Sequence, residues 1–300
     1  MSDKIPVIFD TDIGTDIDDS WALGLLLKCP ELDPKLITAA TGDTEYRARI
    51  IAKFLELTDR TEISVGIGLS ESDEFKPQAQ WVRDYDLTNF RGILHQDGVN
   101  AIIETILEAE ELITVIAAGP LTNIAAALKQ KPEIAEKARF IGMHGSIRSG
   151  YVGIPGNVAE FNVIKNVSAC QTVFTAPWDI SITPLDTCGI ITLRGEKYRQ
   201  IRDCEDILIK AIIENYEIWA SNWPFARSLD VQNETSVLYD TVAIYLAITE
   251  ELLNIEELGI RVTDDGKTII DETAKKISCA TSWKDLPAFE DFLTNRFTGN

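Results

Sequence analysis

The chain has 300 residues, with 28 Lys and Arg against 48 Asp and Glu, a formal net charge of −20. Its 45% hydrophobic and 25% charged residues are the composition of a globular protein with ample material for a core. The acidity excludes nucleic-acid polymers as partners, because gripping a phosphate backbone takes clustered Lys and Arg, and it excludes docking on anionic membranes.

The chain passes from Met1-Ser2-Asp3-Lys4 straight into an apolar run, without a basic and then long apolar leader. No apolar stretch approaches the ~18 residues of a membrane span. The five cysteines (Cys29, Cys170, Cys188, Cys204 and Cys279) are scattered and form no CxxC pair. Reduced thiols and a cytoplasmic location are the expectation.

Strand-like runs fall at residues 6–10, 35–41, 63–66, 113–118, 140–143 and 178–182. Amphipathic helical patterns lie between them at 45–57, 101–108 and 123–128, followed by two more at 205–219 and 236–246. Strands alternating with helices predict an α/β fold: an open, mainly parallel, Rossmann-like sheet flanked by helices. With no linker, repeat or low-complexity tract, residues 1–300 read as one domain. The polar and aromatic segment 71–91 reads as a long loop or lid. Residues 254–300 carry no functional signal. Ligands of such sheets bind beyond the carboxyl ends of the strands, so functional residues should follow the strands.

The loop after the first strand, Asp10-Thr11-Asp12-Ile13-Gly14-Thr15-Asp16-Ile17-Asp18-Asp19, carries five carboxylates in ten residues. Crowded like charges repel, and a hard divalent cation with all-oxygen ligation, Ca²⁺ or Mg²⁺, removes that cost. The competing possibility is helix capping, since Asp18 and Asp19 precede the helix-like Ser20-Trp21-Ala22-Leu23; capping does not need five acids. An EF-hand is excluded, because its fifth position would be Gly14. The loop also resembles the Asp-x-Asp opening of aspartyl-nucleophile phosphatases, which keeps open a Mg²⁺-dependent phosphohydrolase with Asp10 as nucleophile.

Three further blocks stand at ordered positions: Ala118-Gly119-Pro120-Leu121-Thr122-Asn123-Ile124-Ala125, Ala159-Glu160-Phe161-Asn162, and Tyr239-Asp240 before a helix-like run. With the acidic loop they span residues 6 to 245, and together they resemble the inosine–uridine-preferring nucleoside hydrolases. The resemblance implies that family's fold and a Ca²⁺-dependent hydrolysis of ribonucleosides to free base and ribose. It implies Asp12 as metal ligand and as general base on the attacking water. Asp19, the Ala118 carbonyl and Asp240 would complete the metal shell. Asp18, Glu160 and Asn162 would hold ribose hydroxyls, with Asp10 supporting the loop, and Asp43 stands where the family has Asn near the water. A homodimer or homotetramer is also implied. The chemistry agrees: the ribosyl transition state is oxocarbenium-like, and carboxylates around it stabilise positive charge. Outside the family context, Asp240 reads equally as a helix N-cap, Glu160 as a surface charge, Asn162 as a buried structural amide and Gly119-Pro120 as a turn.

Two departures stand out. The acidic loop is two residues longer than the family's Asp-x-Asp-x-Gly-x-Asp-Asp, so Asp16 competes with Asp18 for the ribose role. Tyr239 occupies the position of the family's leaving-group acid, a histidine, and an ordinary phenol with pKa ~10 is poorly matched to that task. The chain has two histidines. His95, in His95-Gln96-Asp97-Gly98, matches a family histidine near the base pocket, and His144 follows a strand. Trp219 and Trp223, four apart, fit either one face of a base-stacking pocket or a core pair, and Phe161 is a further pocket candidate. The missing histidine also motivates a second reading, a nucleoside- or ribose-binding protein that keeps the metal site without catalysis.

Overall fold

The computed structural model describes residues 4–71 and 75–299. Among the described residues ten strands form one sheet: β1 (Ile5–Thr11), β2 (Leu32–Ala39), β3 (Ser64–Ile67), β4 (Leu94–His95), β5 (Ile113–Ala117), β6 (Ala138–Gly142), β7 (Ile180–Ile182), β8 (Leu253–Val262), β9 (Thr268–Ile270) and β10 (Lys276–Trp283). Their order is β4-β3-β2-β1-β5-β6-β7-β10-β8-β9. All neighbours from β4 through to β10 pair in parallel, while β8 and β9 form an antiparallel edge. The chain leaves β1 for β2 on one side, and β5 later pairs with β1 on the other. The β1/β5 boundary is therefore the point where strand order reverses, and a crevice opens there beyond the carboxyl ends.

Both central strands are apolar because helices cover both faces. Along β1, Val7 and Phe9 point into one core and Ile8 into the other, the two-residue alternation of a pleated strand. The first core takes the helices Asp18–Lys28, Thr44–Leu57 and Ile207–Asn222; the second takes Gly98–Glu108, Thr122–Gln130 and Val167–Thr175. No helix among the described residues is long and apolar enough to cross a membrane.

All six expected strands are present, with ends shifted by up to three residues. β4 is too short to show a pattern, and β8 is exposed irregularly along its length, so neither has a clean period. The helix expected from residue 236 begins only at Thr241. The preceding residues are held extended, with Thr235 and Leu238 donating backbone bonds to Leu193 and Ile191. Of the expected 71–91 loop, residues 72–74 lie outside the described residues; the rest is mostly turns and irregular backbone. It is anchored rather than open: Trp81 packs on Phe54, ring centroids 4.4 Å apart, and Gln78 is fully buried.

Trp21 is fully buried on the first helix, with the edges of Tyr216 and Phe297 at 6.1 and 5.4 Å. Trp21→Ala is expected to lower the unfolding free energy by ~3–5 kcal/mol in urea titration, and a loss under about 1 kcal/mol would contradict this packing.

Candidate active site

The acidic loop leaves β1 at Thr11 and enters the helix Asp18–Lys28. Gly14 turns it with φ +115°, and a Cβ there would lie 2.8 Å from the Tyr46 ring. Tyr46 donates its hydroxyl to the Gly14 carbonyl at 3.0 Å. Beneath the loop lies the buried guanidinium of Arg47. It donates to the carbonyls of Asp12 and Ile13, to Thr41 O at 2.8 Å and to Thr15 Oγ1 at 3.0 Å. A rigid five-donor fork is the one side chain that can tie so many carbonyls at once. From the 71–91 segment, Gln78 Nε2 donates to Asp16 O at 2.6 Å.

Asp18 and Asp19 form the first turn of their helix, whose N-cap Ile17 makes no side-chain cap bond. Asp240 holds the N-cap position of Thr241–Ile248 but makes no capping hydrogen bond. Capping, which the sequence left open for all three, therefore does not account for these carboxylates. One oxygen from each of Asp18, Asp19 and Asp240 can be taken so that all lie within 4.8 Å of one another. Thr11 donates its hydroxyl to Asp19. Burial, then the charges of their neighbours, push all three well above the usual carboxylate range, and Asp18 and Asp240 share a hydrogen bond. Burial also raises Asp16 to about 6. Oxygen-only donors brought together at this electrostatic cost suit a hard divalent cation, and the N-termini of two helices soften the repulsion.

The facing wall comes from the segments after β5 and β6. Gly119 passes so close to the loop that a Cβ would lie 2.8 Å from the Asp12 nitrogen. Asn162 Nδ2 donates to the carbonyls of Ala118 and Met143, each at 3.1 Å. Glu160 caps the helix Phe161–Lys165, accepting from Asn162 N at 2.7 Å and Val163 N at 3.3 Å, and also from Gly145 N at 3.0 Å. Burial lifts Glu160 to about 7 despite those bonds.

Between the walls lies a cleft of about 230 Å³ lined by the carboxylates of Asp12, Asp16, Asp18, Asp19, Glu160 and Asp240. Ala118, Phe161, Asn162 and Tyr239 also line it, as do Trp223, Thr15, Met143 and Tyr151. Thr15 lies within the acidic loop but does not stand out there, and Met143 and Tyr151 carry no motif. Met143 has one signal, its place just beyond a strand's carboxyl end. Arg47 reads in sequence as an ordinary charge on an amphipathic helix.

Five expected site residues lie elsewhere. Asp10 is fully buried beneath the loop, accepting from Thr38 and from Asn123 Nδ2 at 2.9 Å, and burial raises it to about 6. Its place fits a loop support and removes it as a phosphatase-type nucleophile. Asp43 caps the helix Thr44–Leu57 through Tyr46 N and pairs with Lys76. His95 sits in edge strand β4. His144 is fully buried, its Nε2 3.1 Å from Gly119 O, and burial drives it down to about 3, so it is neutral. Trp219 lies under the loop, donating Nε1–H to Thr15 O at 3.1 Å, with Trp223 stacked on it at 5.8 Å. Only the second tryptophan reaches the cleft. Asp18, expected on the ribose, lies with Asp19 and Asp240, one oxygen of each within 4.8 Å of the others.

An open α/β sheet with a buried carboxylate cluster at its switch point defines a protein whose cleft has the donors to hold a hard cation. Residues 7–291 match the family model of the inosine-uridine preferring nucleoside hydrolases, and the chain belongs to that hydrolase family. It is 27% identical over 286 residues to the pyrimidine-specific ribonucleoside hydrolase RihA of Escherichia coli O81 (strain ED1a), covering 88% of this chain and 86% of that protein. Among solved structures it is similar to a plant nucleoside hydrolase, PpNRh1, with TM-score 0.84, 22% identity and coverage of 99% of this chain and 100% of the other. It is also similar to a purine-preferring ribonucleoside hydrolase from Gardnerella vaginalis, with TM-score 0.80, 23% identity and 98% of each chain covered.

The raised carboxyls set the pH dependence of the metal-free protein. Asp10 and Asp16 rise from 3.8 to about 6, and Glu160 from 4.5 to about 7. A carboxyl raised on folding contributes stability below its unfolded pKa, and that contribution is lost as pH climbs through the folded value. Stability should therefore fall between about pH 4 and 7, with a larger Tm gain from added Ca²⁺ at pH 8 than at pH 5. Calorimetry at both pH values checks this, and an equal or smaller gain at pH 8 would contradict it.

Proposed function

We propose that the chain hydrolyses the N-glycosidic bond of ribonucleosides to free base and ribose, with Asp12 as general base and Ca²⁺ as the metal. The observation that carries this is the meeting of Asp18, Asp19 and Asp240 beside Asp12 in one cleft. Asp12, Asp19 and Asp240 would hold the cation with the Ala118 carbonyl, whose second lone pair is left beside its bond from Asn162. The close approach of Asp18 makes it either a fourth carboxylate at the ion or the group that accepts a ribose hydroxyl. When bound, the cation supplies Lewis acidity to water and to the ribose diol.

The remaining steps belong to the protein. Asp12 takes the proton of the attacking water, its backbone fixed by Arg47 below and by Gly119 beside it. Glu160, rigid through three backbone N–H bonds, and Asn162 orient the ribose. The surrounding carboxylates stabilise positive charge as the sugar becomes oxocarbenium-like. Phe161 and Trp223 supply apolar walls for the base. Five unpaired cysteines support the cytoplasmic assignment.

With Ca²⁺ and a nucleoside panel, the protein is expected to release free ribose. With Ca²⁺ raised to saturate each protein, Asp12→Asn should lower kcat ~10²–10⁴-fold, the range for loss of a general base. Ribonucleoside binding without ribose release in the wild type would overturn the proposal in favour of a binding protein.

A further inference from the structure

The carbonyls of residues 12 to 16, the whole middle of the acidic loop, each accept a bond from a side chain elsewhere in the chain. Arg47 donates to Asp12 O and Ile13 O, Tyr46 to Gly14 O at 3.0 Å, Trp219 to Thr15 O at 3.1 Å and Gln78 to Asp16 O at 2.6 Å. Tyr46, Arg47 and Trp219 stand on the helices Thr44–Leu57 and Ile207–Asn222. Gln78 stands on a segment of turns and is nevertheless fully buried.

Gln78 reaches the acidic turn at a second point. Its Oε1 accepts from Asn215 Nδ2 at 2.7 Å and from Ser20 Oγ at 3.3 Å, and Asn215 Nδ2 also donates to Ser20 Oγ at 3.3 Å. Ser20 and Asn215 are fully buried too. Asp16 and Ser20 flank Asp18 and Asp19, so one amide ties both ends of the turn that carries them. The direction of that amide is forced. A carbonyl can only accept, so Asp16 O takes Nε2 and leaves Oε1 facing Asn215, which must then donate. Among the described residues, Asn215 Oδ1 is thereby left buried without a hydrogen-bond partner. An orphaned oxygen costs stability that packed apolar side chains would not cost. The network therefore contributes direction at the turn more than it contributes stability.

Building on the metal-dependent hydrolysis proposed above, we infer that Gln78 is a positioning residue for the cation: it brackets the Asp18-Asp19 turn between Asp16 O and Ser20, with Asn215 fixing the direction of its amide. Gathered like charges push such a turn apart before a cation arrives. A turn tied at both ends keeps the carboxylate oxygens of Asp18 and Asp19 near those of Asp240, and the ion meets its donors already assembled. Gln78 itself touches neither the ion nor the substrate.

The test is the Kd for Ca²⁺ by isothermal titration in wild type, Gln78→Met, Asn215→Leu, the double variant and Asn222→Ala, each with native circular dichroism. Asn222 donates to Pro77 O at 3.1 Å, so its loss loosens the same segment without touching the turn. Gln78→Met should raise Kd ~10-fold, the lower end for residues that orient metal ligands from behind. Asn215→Leu should raise it less, and the double variant should match Gln78→Met alone, because Asn215 acts through Gln78. Asn222→Ala should leave Kd unchanged. A purely structural role would lower the melting temperature and leave the Kd of the folded protein where it was. An unchanged Kd in Gln78→Met overturns the inference, as do additive losses in the double variant or an equal loss in Asn222→Ala. If Gln78→Met does not fold, an unchanged Kd in Asn215→Leu overturns it. In each of these cases wild type still binds Ca²⁺ and releases ribose; wild type that does neither overturns the hydrolysis reading as well.

Discussion

The mutual repulsion of buried carboxylates is the constraint on which this structure depends. Asp18, Asp19 and Asp240 are buried with their oxygens gathered, although burial and neighbouring charge both oppose ionisation. Such a cluster persists only where the surrounding fold over-determines it. Here Arg47 clamps the loop from below, two helix N-termini face the acids, and Gly119 closes the side at a distance no Cβ would allow. A bound cation would convert that stored repulsion into affinity.

The sheet explains why residues from distant parts of the chain meet. β1 and β5 are adjacent, and their following loops bring Asp12 against Gly119. β6 is next, and the segment beyond it brings Glu160 and Asn162 back across the crevice. The two-sided apolar core holds β1 and β5 rigid, so the loops vary on a fixed base. The same design leaves the aromatic rim, Tyr151, Tyr239 and Trp223, on less regular segments, where the base would be read.

Much of the fold was legible because buried parallel strands are short apolar runs and the helices between them have a clear period. The acidic loop was legible because five acids directly after a strand exceed what helix capping can use, and their repulsion calls for a cation. What escaped was set by long-range contacts. Residues 236–240 resemble a helix start, but Thr235 and Leu238 bond instead to Leu193 and Ile191. Trp219 and Trp223 share a helical face, yet the Thr15 carbonyl claims one and the cleft the other. Asp43 and His144 follow strands as ligand-binding residues do, but one is used by a helix N-terminus and Lys76, the other by Gly119. Arg47 is invisible as a functional residue because nothing in its own helix shows that it points into a carbonyl-lined loop.

The most direct measurement is isothermal titration of Ca²⁺ into the metal-free protein near pH 7.5, with wild type, Asp19→Asn and Asp240→Asn, each checked for native circular dichroism. One ion is expected to bind per chain in wild type, with a large loss of affinity in both folded variants. Absence of saturable binding in wild type, or unchanged affinity in both variants, would contradict it.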